Sequence, residues 1–225
     1  MHQATLRAFE YNMFSVEAGF VDLNDNIHFG LRDIGKHQGR ILICPSAFLY
    51  DVINGNVPLK GRFAPLNDVT HILDLERGDL IQSANPWQNV KYYAELFNDG
   101  NPIPKAVFQK GIDPLADALI TNPESKVVIS CAQGVSRSPA LATVLLFKLL
   151  THQGEEANST LLMNCLGVIG HSRPGAMPHI EVWKALQKHL SIVIDQHQLM
   201  PATAALARNN AGILSGRLRI PGINI

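Results

Sequence analysis

A cysteine-headed loop between two apolar segments constrains the fold more than any other part of the chain. The run Val127–Ser130 is short and apolar, as a buried strand is, and 139–150 is apolar over the length of a helix. Between them, from Cys131 to Ser138, the sequence is Cys-Ala-Gln-Gly-Val-Ser-Arg-Ser. The pattern predicts a strand, a tight loop and a buried helix, with a thiol at the carboxyl end of the strand.

The residue types in this loop predict an anion site beside a reactive thiol. A helix N-terminus presents unpaired N–H groups and a partial positive charge, and both favour an anion on the loop. Arg137 adds a planar guanidinium that matches a phosphate or sulfate, and Gly134 lets the backbone turn its N–H groups inward. The same positive field favours the thiolate of Cys131, while Ser136 and Ser138 supply hydroxyl donors. We therefore expect a nucleophile near neutral pH.

The form Cys-x-x-Gly-x-Ser-Arg-Ser resembles the Cys-x5-Arg phosphate loop of the protein tyrosine and dual-specificity phosphatases, and most of all the dual-specificity branch and its small bacterial members. The resemblance implies an α/β fold with a central, mostly parallel sheet flanked by helices. It also implies hydrolysis of phosphate monoesters through a phosphocysteine, without metal or organic cofactor. Rhodanese-type sulfurtransferases also use a cysteine-headed anion loop, but their usual arginine would fall at Ser136.

The resemblance assigns a role to each residue of the loop. Cys131 is the expected nucleophile, Arg137 the expected clamp on the phosphate, and Ser138 or Ser136 the donor to the departing thiolate. The N–H groups from Ala132 to Arg137 are expected to bind the substrate, so that Ser136 and Arg137 are joined in this role by Ala132, Gln133, Gly134 and Val135. The side chains of Ala132, Gln133 and Val135 carry no charge, which neither favours nor excludes a polyanionic lipid.

A second catalytic group is needed because an alkoxide or phenoxide leaves more readily when an acid protonates it. The related phosphatases use an aspartate on a mobile loop upstream of the cysteine. Asp99 matches best: it lies 32 residues before the cysteine, within the turn-forming segment Asn98–Pro102. Asp113 is the main rival, although its place before Pro114 is typical of a helix N-cap. Asp79 lies further upstream.

A segment downstream strengthens the resemblance. Residues 173–179 are similar to the Arg-Pro-x-Ala-x-Pro-Asn segment that supports the phosphate loop in these phosphatases. Arg173 and His179 are therefore expected supporting residues, although His179 stands where asparagine is usual. We expect Pro178 to begin the next helix.

One departure from the family pattern motivates an alternative function. Ser130 stands where the family has a histidine before the cysteine. Serine can donate one hydrogen bond but carries no charge, so we expect a supporting role and a thiol that stays reactive with a higher pKa. The alternatives are a catalytically inactive phosphate-binding protein, or a phosphatase of a non-protein substrate such as an inositol phosphate.

Hydrophobic periodicity predicts further elements around the loop. Strands are expected at 40–44, 69–75 and 92–97, a helical turn at 47–53, and helices from Asp113, over 155–168 and over 178–194. We expect an N-terminal extension over 1–38 packed on the core, a catalytic domain over 39–195 and a C-terminal extension over 196–225. Cys44 ends a predicted strand and is a weak candidate for a resolving cysteine, whereas Cys165 is expected in the core.

Composition limits the partners and the compartment. The chain has 19 basic and 19 acidic residues, a balance that argues against nucleic acid and against a strong grip on anionic membranes. No apolar run approaches the roughly 20 residues of a membrane span. Three separated cysteines and the absence of a secretory pattern at the start predict a reducing, cytoplasmic compartment, or export without a readable signal. The nine histidines show no metal-ligand spacing. The expected partner is a phosphorylated protein or a small phosphate ester.

Overall fold

The computed structural model describes residues 19–20, 39–78, 89–172, 176 and 178–194, which form one sheet with helices on both faces. Several predictions lie outside the described residues: most of the extension over 1–38, the rival Asp79, the support residue Arg173 and the extension over 196–225.

The sheet has five strands: β1 (Gly19–Phe20), β2 (Ile41–Pro45), β3 (His71–Asp74), β4 (Lys91–Ala94) and β5 (Val127–Cys131). Their spatial order is β1-β2-β5-β3-β4. The last four are parallel to one another, and the two-residue β1 pairs antiparallel with β2. Every residue of β2, β3 and β5 is buried, because helices cover both faces. The prediction of a mostly parallel α/β sheet is confirmed.

Five α-helices surround the sheet: α1 (Ser46–Ile53), α2 (Asp113–Thr121), α3 (Arg137–His152), α4 (Ser159–Ser172) and α5 (Ile180–Leu190). A 3-10 segment covers Gly61–Asp68, and a π-helical segment covers Val107–Ile112. The helix α3 is apolar and buried over most of its length, since it packs against β2, β5, α2, α4 and α5. Among the described helices, none has the length and apolarity needed to cross a membrane.

The sheet separates two hydrophobic cores, and this separation places the cysteines. Cys131 belongs to the core that contains α3, whereas Cys44 packs in the other core with α1. Cys44 is the register partner of Ser130, so both side chains point away from the face that carries Cys131. The interpretation of Cys44 as a resolving cysteine is therefore wrong in this fold. Cys165 lies in the first core, as predicted, and burial raises the pKa of its thiol.

The prediction that Asp113 caps a helix is wrong. The helix begins at residue 105, and the π-helical segment continues directly into α2, so Ile112 already has helical dihedral angles. Pro114 lacks an N–H group and would disturb a regular α-helix, and the wider π turn before it accommodates the ring. The Asp113 carboxylate instead lies 3.0 Å from the Lys148 ammonium group.

Two other helices begin later than predicted because a polar side chain caps each of them. Asn158 Oδ1 accepts the N–H of Leu161 at 2.9 Å, so α4 begins at Ser159 rather than at residue 155. His179 Nδ1 accepts the N–H of Glu181 at 3.3 Å. The helix α5 therefore begins after His179, and Pro178 lies outside it.

Candidate active site

The thiol lies at the carboxyl end of β5, in the loop that leads into α3. Cys131 is 2% exposed, and its Sγ accepts the N–H of Gly134 at 3.3 Å. The Ser138 hydroxyl lies 3.1 Å from the same sulfur. Gly134 has a φ of 67°, which glycine adopts without the steric penalty that a side chain brings. A backbone N–H and a hydroxyl thus both contact the sulfur.

The guanidinium of Arg137 is buried and held by three contacts. Nη1 donates to the carbonyl oxygens of Leu75, at 2.9 Å, and Phe97, at 2.6 Å, and Nη2 donates to Glu76 Oε2 at 2.5 Å. A guanidinium has five N–H donors, so Nε–H and one Nη2 hydrogen remain. Arg137 is 5% exposed, and its Nε has no hydrogen-bond partner among the described residues. A buried unpaired donor costs about 1–3 kcal/mol, which a bound anion would offset.

A cavity of about 450 Å³ opens over the loop. Its lining brings together most of the predicted site residues; it consists of Asp99, Cys131, Ala132, Gln133, Val135, Ser136, Arg137, Pro178 and His179. Gly134 is not among them, since its N–H points to the sulfur. The volume is in the range of sites for small ligands.

The predicted acid, Asp99, is tied to the cysteine loop. Its Oδ1 accepts the hydroxyl hydrogen of Ser136 at 2.7 Å and the N–H of Gly100 at 3.1 Å. The Ser136 oxygen in turn accepts the N–H of His179 at 3.0 Å. One hydroxyl thus joins the acid loop (Asn98–Pro102), the cysteine loop (Cys131–Ser138) and the start of α5. Asp113, the rival, is paired with a lysine on α3 and does not line this cavity.

Solved structures with similar folds include tyrosine and dual-specificity phosphatases and a tyrosine phosphatase-like protein. The human tyrosine phosphatase-like serine/threonine/tyrosine-interacting protein matches with a TM-score of 0.50 and 15% identity, over 68% of this chain and 91% of that chain. Tk-PTP in its active form gives 0.48 and 18%, over 68% and 93%, and human DUSP28 gives 0.47 and 19%, over 68% and 88%. The chain has the fold of the cysteine-dependent tyrosine and dual-specificity phosphatases.

Sequence comparison alone does not detect this relationship: no protein-family model and no curated protein matches the chain. At these identities the phosphatase fold is what the structural likeness shows. The chemistry of the site therefore has to be argued from its own residues.

Two acidic residues that sequence reasoning missed fix the guanidinium in this phosphatase fold. Glu76 contacts Arg137 directly. Asp74, fully buried at the end of β3, accepts the N–H groups of Glu76, Arg77 and Gly78 and the hydroxyl of Tyr92. Asp74 thereby holds the turn that carries Glu76. Asp74 ends a buried strand and Glu76 follows it. This position indicates a place near the site, because the carboxyl ends of parallel strands meet at one edge of the sheet.

Ser130 does not contact the sulfur. Strand alternation turns its side chain to the face opposite Cys131, beside Asp74 and Cys44. Its Oγ is fully buried and has no hydrogen-bond partner within the described part of the chain. Its carbonyl oxygen accepts the N–H of Leu75 at 2.9 Å, as part of the sheet. Any support from Ser130 therefore acts through the backbone of β5.

Proposed function

We propose that the protein is a cysteine-dependent phosphatase of phosphate monoesters, acting on phosphotyrosine or on mixed phosphoprotein substrates. The observation that carries the proposal is the unpaired, buried Nε–H of Arg137, beside a thiol that is contacted by the Gly134 N–H and the Ser138 hydroxyl. A dianionic phosphate supplies acceptors for that N–H and for the loop N–H groups. It also brings an electrophilic phosphorus to the sulfur.

In the first step, the thiolate of Cys131 attacks phosphorus in line with the bond to the leaving oxygen. The S–P bond forms as that P–O bond breaks, while Arg137 and the N–H groups of residues 132, 133 and 135–137 hold the equatorial oxygens; the Gly134 N–H stays on the sulfur. Asp99 protonates the leaving oxygen. Its Oδ1 is engaged by Ser136 and Gly100, which leaves Oδ2 to carry the proton.

In the second step, water attacks the phosphocysteine and breaks the S–P bond. Asp99, now ionised, takes a proton from that water, and phosphate is released. Ser138 donates to the departing thiolate, because its hydroxyl lies 3.1 Å from the sulfur. Ser136 is engaged with Asp99 and His179 instead, so this role falls to Ser138 alone.

The alternative function is phosphate binding without turnover. It is favoured by one observation: the buried Ser130 brings neither charge nor a hydrogen bond to the loop. Both functions require phosphate in the cavity, and they differ in whether the S–P bond forms. The substrate class is a separate question, and assays with inositol phosphates and with phosphopeptides distinguish the two possibilities.

An aryl phosphate assay under reducing conditions tests the proposal. We expect turnover by the wild type, loss of turnover in Cys131→Ser and Arg137→Lys, and a reduced rate in Asp99→Ala. Cys44→Ser is the matched control, since that thiol lies on the other face of the sheet. Binding of inorganic phosphate to Cys131→Ser is measured by calorimetry. Binding without wild-type turnover would support the alternative, and the absence of both would reject the site itself.

A further inference from the structure

A second cavity, of about 610 Å³, lies beside the catalytic one. It is formed by the segment that follows the acid loop and by one face of α5. Ile103, Phe108 and Ala185 give it an apolar floor, and three lysines surround that floor: Lys105, Lys184 and Lys188. We name this cavity, defined by these six residues, the lysine cleft.

The charges of the lysine cleft are only partly neutralised. Lys184 lies 2.7 Å from Glu181, the one carboxylate in the lining. Within the described part of the chain, neither Lys105 nor Lys188 has an acidic partner, and both are exposed. Because the described lining holds three lysines and one carboxylate, the cleft carries an excess of positive charge. It is suited to a ligand that combines carboxylates with an apolar group.

His189, which also lines the cleft, has a pKa that responds to the charges around it. The His189 ring stacks on Phe108 with centroids 3.8 Å apart. Its pKa is lowered, first by burial and then by Lys148, with Lys105 acting in the same direction and Asp113 opposing. A bound carboxylate would relieve this repulsion, so His189 serves as a reporter of occupancy.

The lysine cleft is within reach of a substrate held at Cys131. Asp99 lines the catalytic cavity and Pro102 the cleft, three residues later; His179 lines the first and Glu181 the second. A residue spans at most about 3.6 Å, so the backbones of Asp99 and Pro102, one in the lining of each cavity, lie no more than about 11 Å apart. An extended peptide crosses that distance in about three to four residues.

We infer that the lysine cleft binds an acidic segment of the phosphoprotein substrate, three to four residues from the phosphorylated one. An apolar side chain of that segment packs on Ile103 and Phe108, and its carboxylates pair with Lys105 and Lys188. A continuous polypeptide is the occupant that links the two cavities. The inference rests on the proposed phosphatase function. It adds that the protein recognises residues of the substrate that flank the phosphorylated one.

Peptide binding without turnover tests the inference. Cys131→Ser protein is titrated with fluorescent peptides that carry Asp-Leu-Glu three residues before or after an unphosphorylated tyrosine. We expect at least one to bind, and Lys105→Glu/Lys188→Glu to weaken it about tenfold. Lys110→Glu is the matched control: this lysine is exposed on the same helix but does not line the cleft, and its variant should bind normally. The His189 NMR signals should shift on binding.

The outcomes separate this inference from the proposed function. If the wild type hydrolyses aryl phosphate but the Cys131→Ser protein binds neither peptide, the inference about the lysine cleft is wrong and the proposed function stands. Equal binding by the double variant and the control also overturns it. If anionic phosphatidylserine vesicles bind through Lys105 and Lys188 while the peptides do not, the occupant is a membrane and the inference is wrong. Peptide binding by a catalytically inactive protein supports the cleft and rejects only the phosphatase.

Discussion

Removing the hydroxyl of Ser136 tests whether this side chain positions the catalytic acid. In Ser136→Ala, Asp99 loses the donor at 2.7 Å and the N–H of His179 loses its acceptor at 3.0 Å. Ser136 is 7% exposed, so water replaces its contacts poorly, whereas Asp99 is exposed and recovers part of the loss. Two hydrogen bonds of roughly 0.5–1.5 kcal/mol each give an expected loss of about 1–2 kcal/mol in unfolding free energy.

The effect on rate should depend on the leaving group. A general acid contributes about 10²–10⁴ in rate, and losing its orientation while keeping the carboxyl should cost about tenfold on an alkyl phosphate. A nitrophenyl phosphate needs little protonation of its leaving oxygen, so its first step should change by less than about twofold. The assay is kcat/KM for both substrates, with stability measured in urea.

Two neighbouring variants serve as controls for Ser136→Ala. Ser136→Thr keeps the hydroxyl and should retain most of the alkyl phosphate activity. Ser138→Ala removes the hydroxyl that contacts the sulfur, so it should lower kcat for both substrates alike, because both form the same phosphocysteine. Equal losses on both substrates in Ser136→Ala, or no loss on either, would refute the idea that Ser136 acts through Asp99.

Three further outcomes follow from described contacts. Glu76→Gln should loosen the Arg137 guanidinium and weaken phosphate binding about five- to tenfold by calorimetry, since the pair is buried on the arginine side and 38% exposed on the glutamate side; unchanged affinity would contradict this. Iodoacetamide at neutral pH should label Cys131 before Cys165, whose pKa is raised by burial, as peptide mapping by mass spectrometry can show. Because the pKa of His189 is lowered on folding, the unfolded chain binds more protons near pH 6, so stability should fall as pH decreases through about 6.5, and His189→Gln should flatten that dependence in thermal unfolding.

The parts of the molecule that sequence predicts well are those fixed by local pattern. The apolar run before Cys131 and the apolar stretch after Arg137 each indicate one element, and the loop between them follows from their order along the chain. The position of Asp99 in a turn-forming segment was likewise a local signal. Helix starts are predicted less well than strands and loops. Pro114 indicates the start of a helix in the sequence, whereas in the structure a π turn before it accommodates the proline ring within a longer helix.

The parts that sequence does not predict depend on which strands become neighbours. Glu76 reaches Arg137 only because β3 lies beside β5 with Asp74 opposite Ser130. The face occupied by Cys44 depends in the same way on the register of β2 against β5. Alternation along one strand is local information, but the register between two strands is tertiary, and a shift of one residue would exchange the faces.

The same alternation explains why the serine at position 130 leaves the cysteine loop intact. Residues 130 and 131 are adjacent in β5 and must point to opposite faces. The groups that contact the Cys131 sulfur come from within the loop and from α3, through Gly134 and Ser138. The guanidinium of Arg137 is held by the segments that follow β3 and β4. Within the described residues, no contact of either group passes through the Ser130 side chain, so this serine acts on the thiol only through the geometry of the strand.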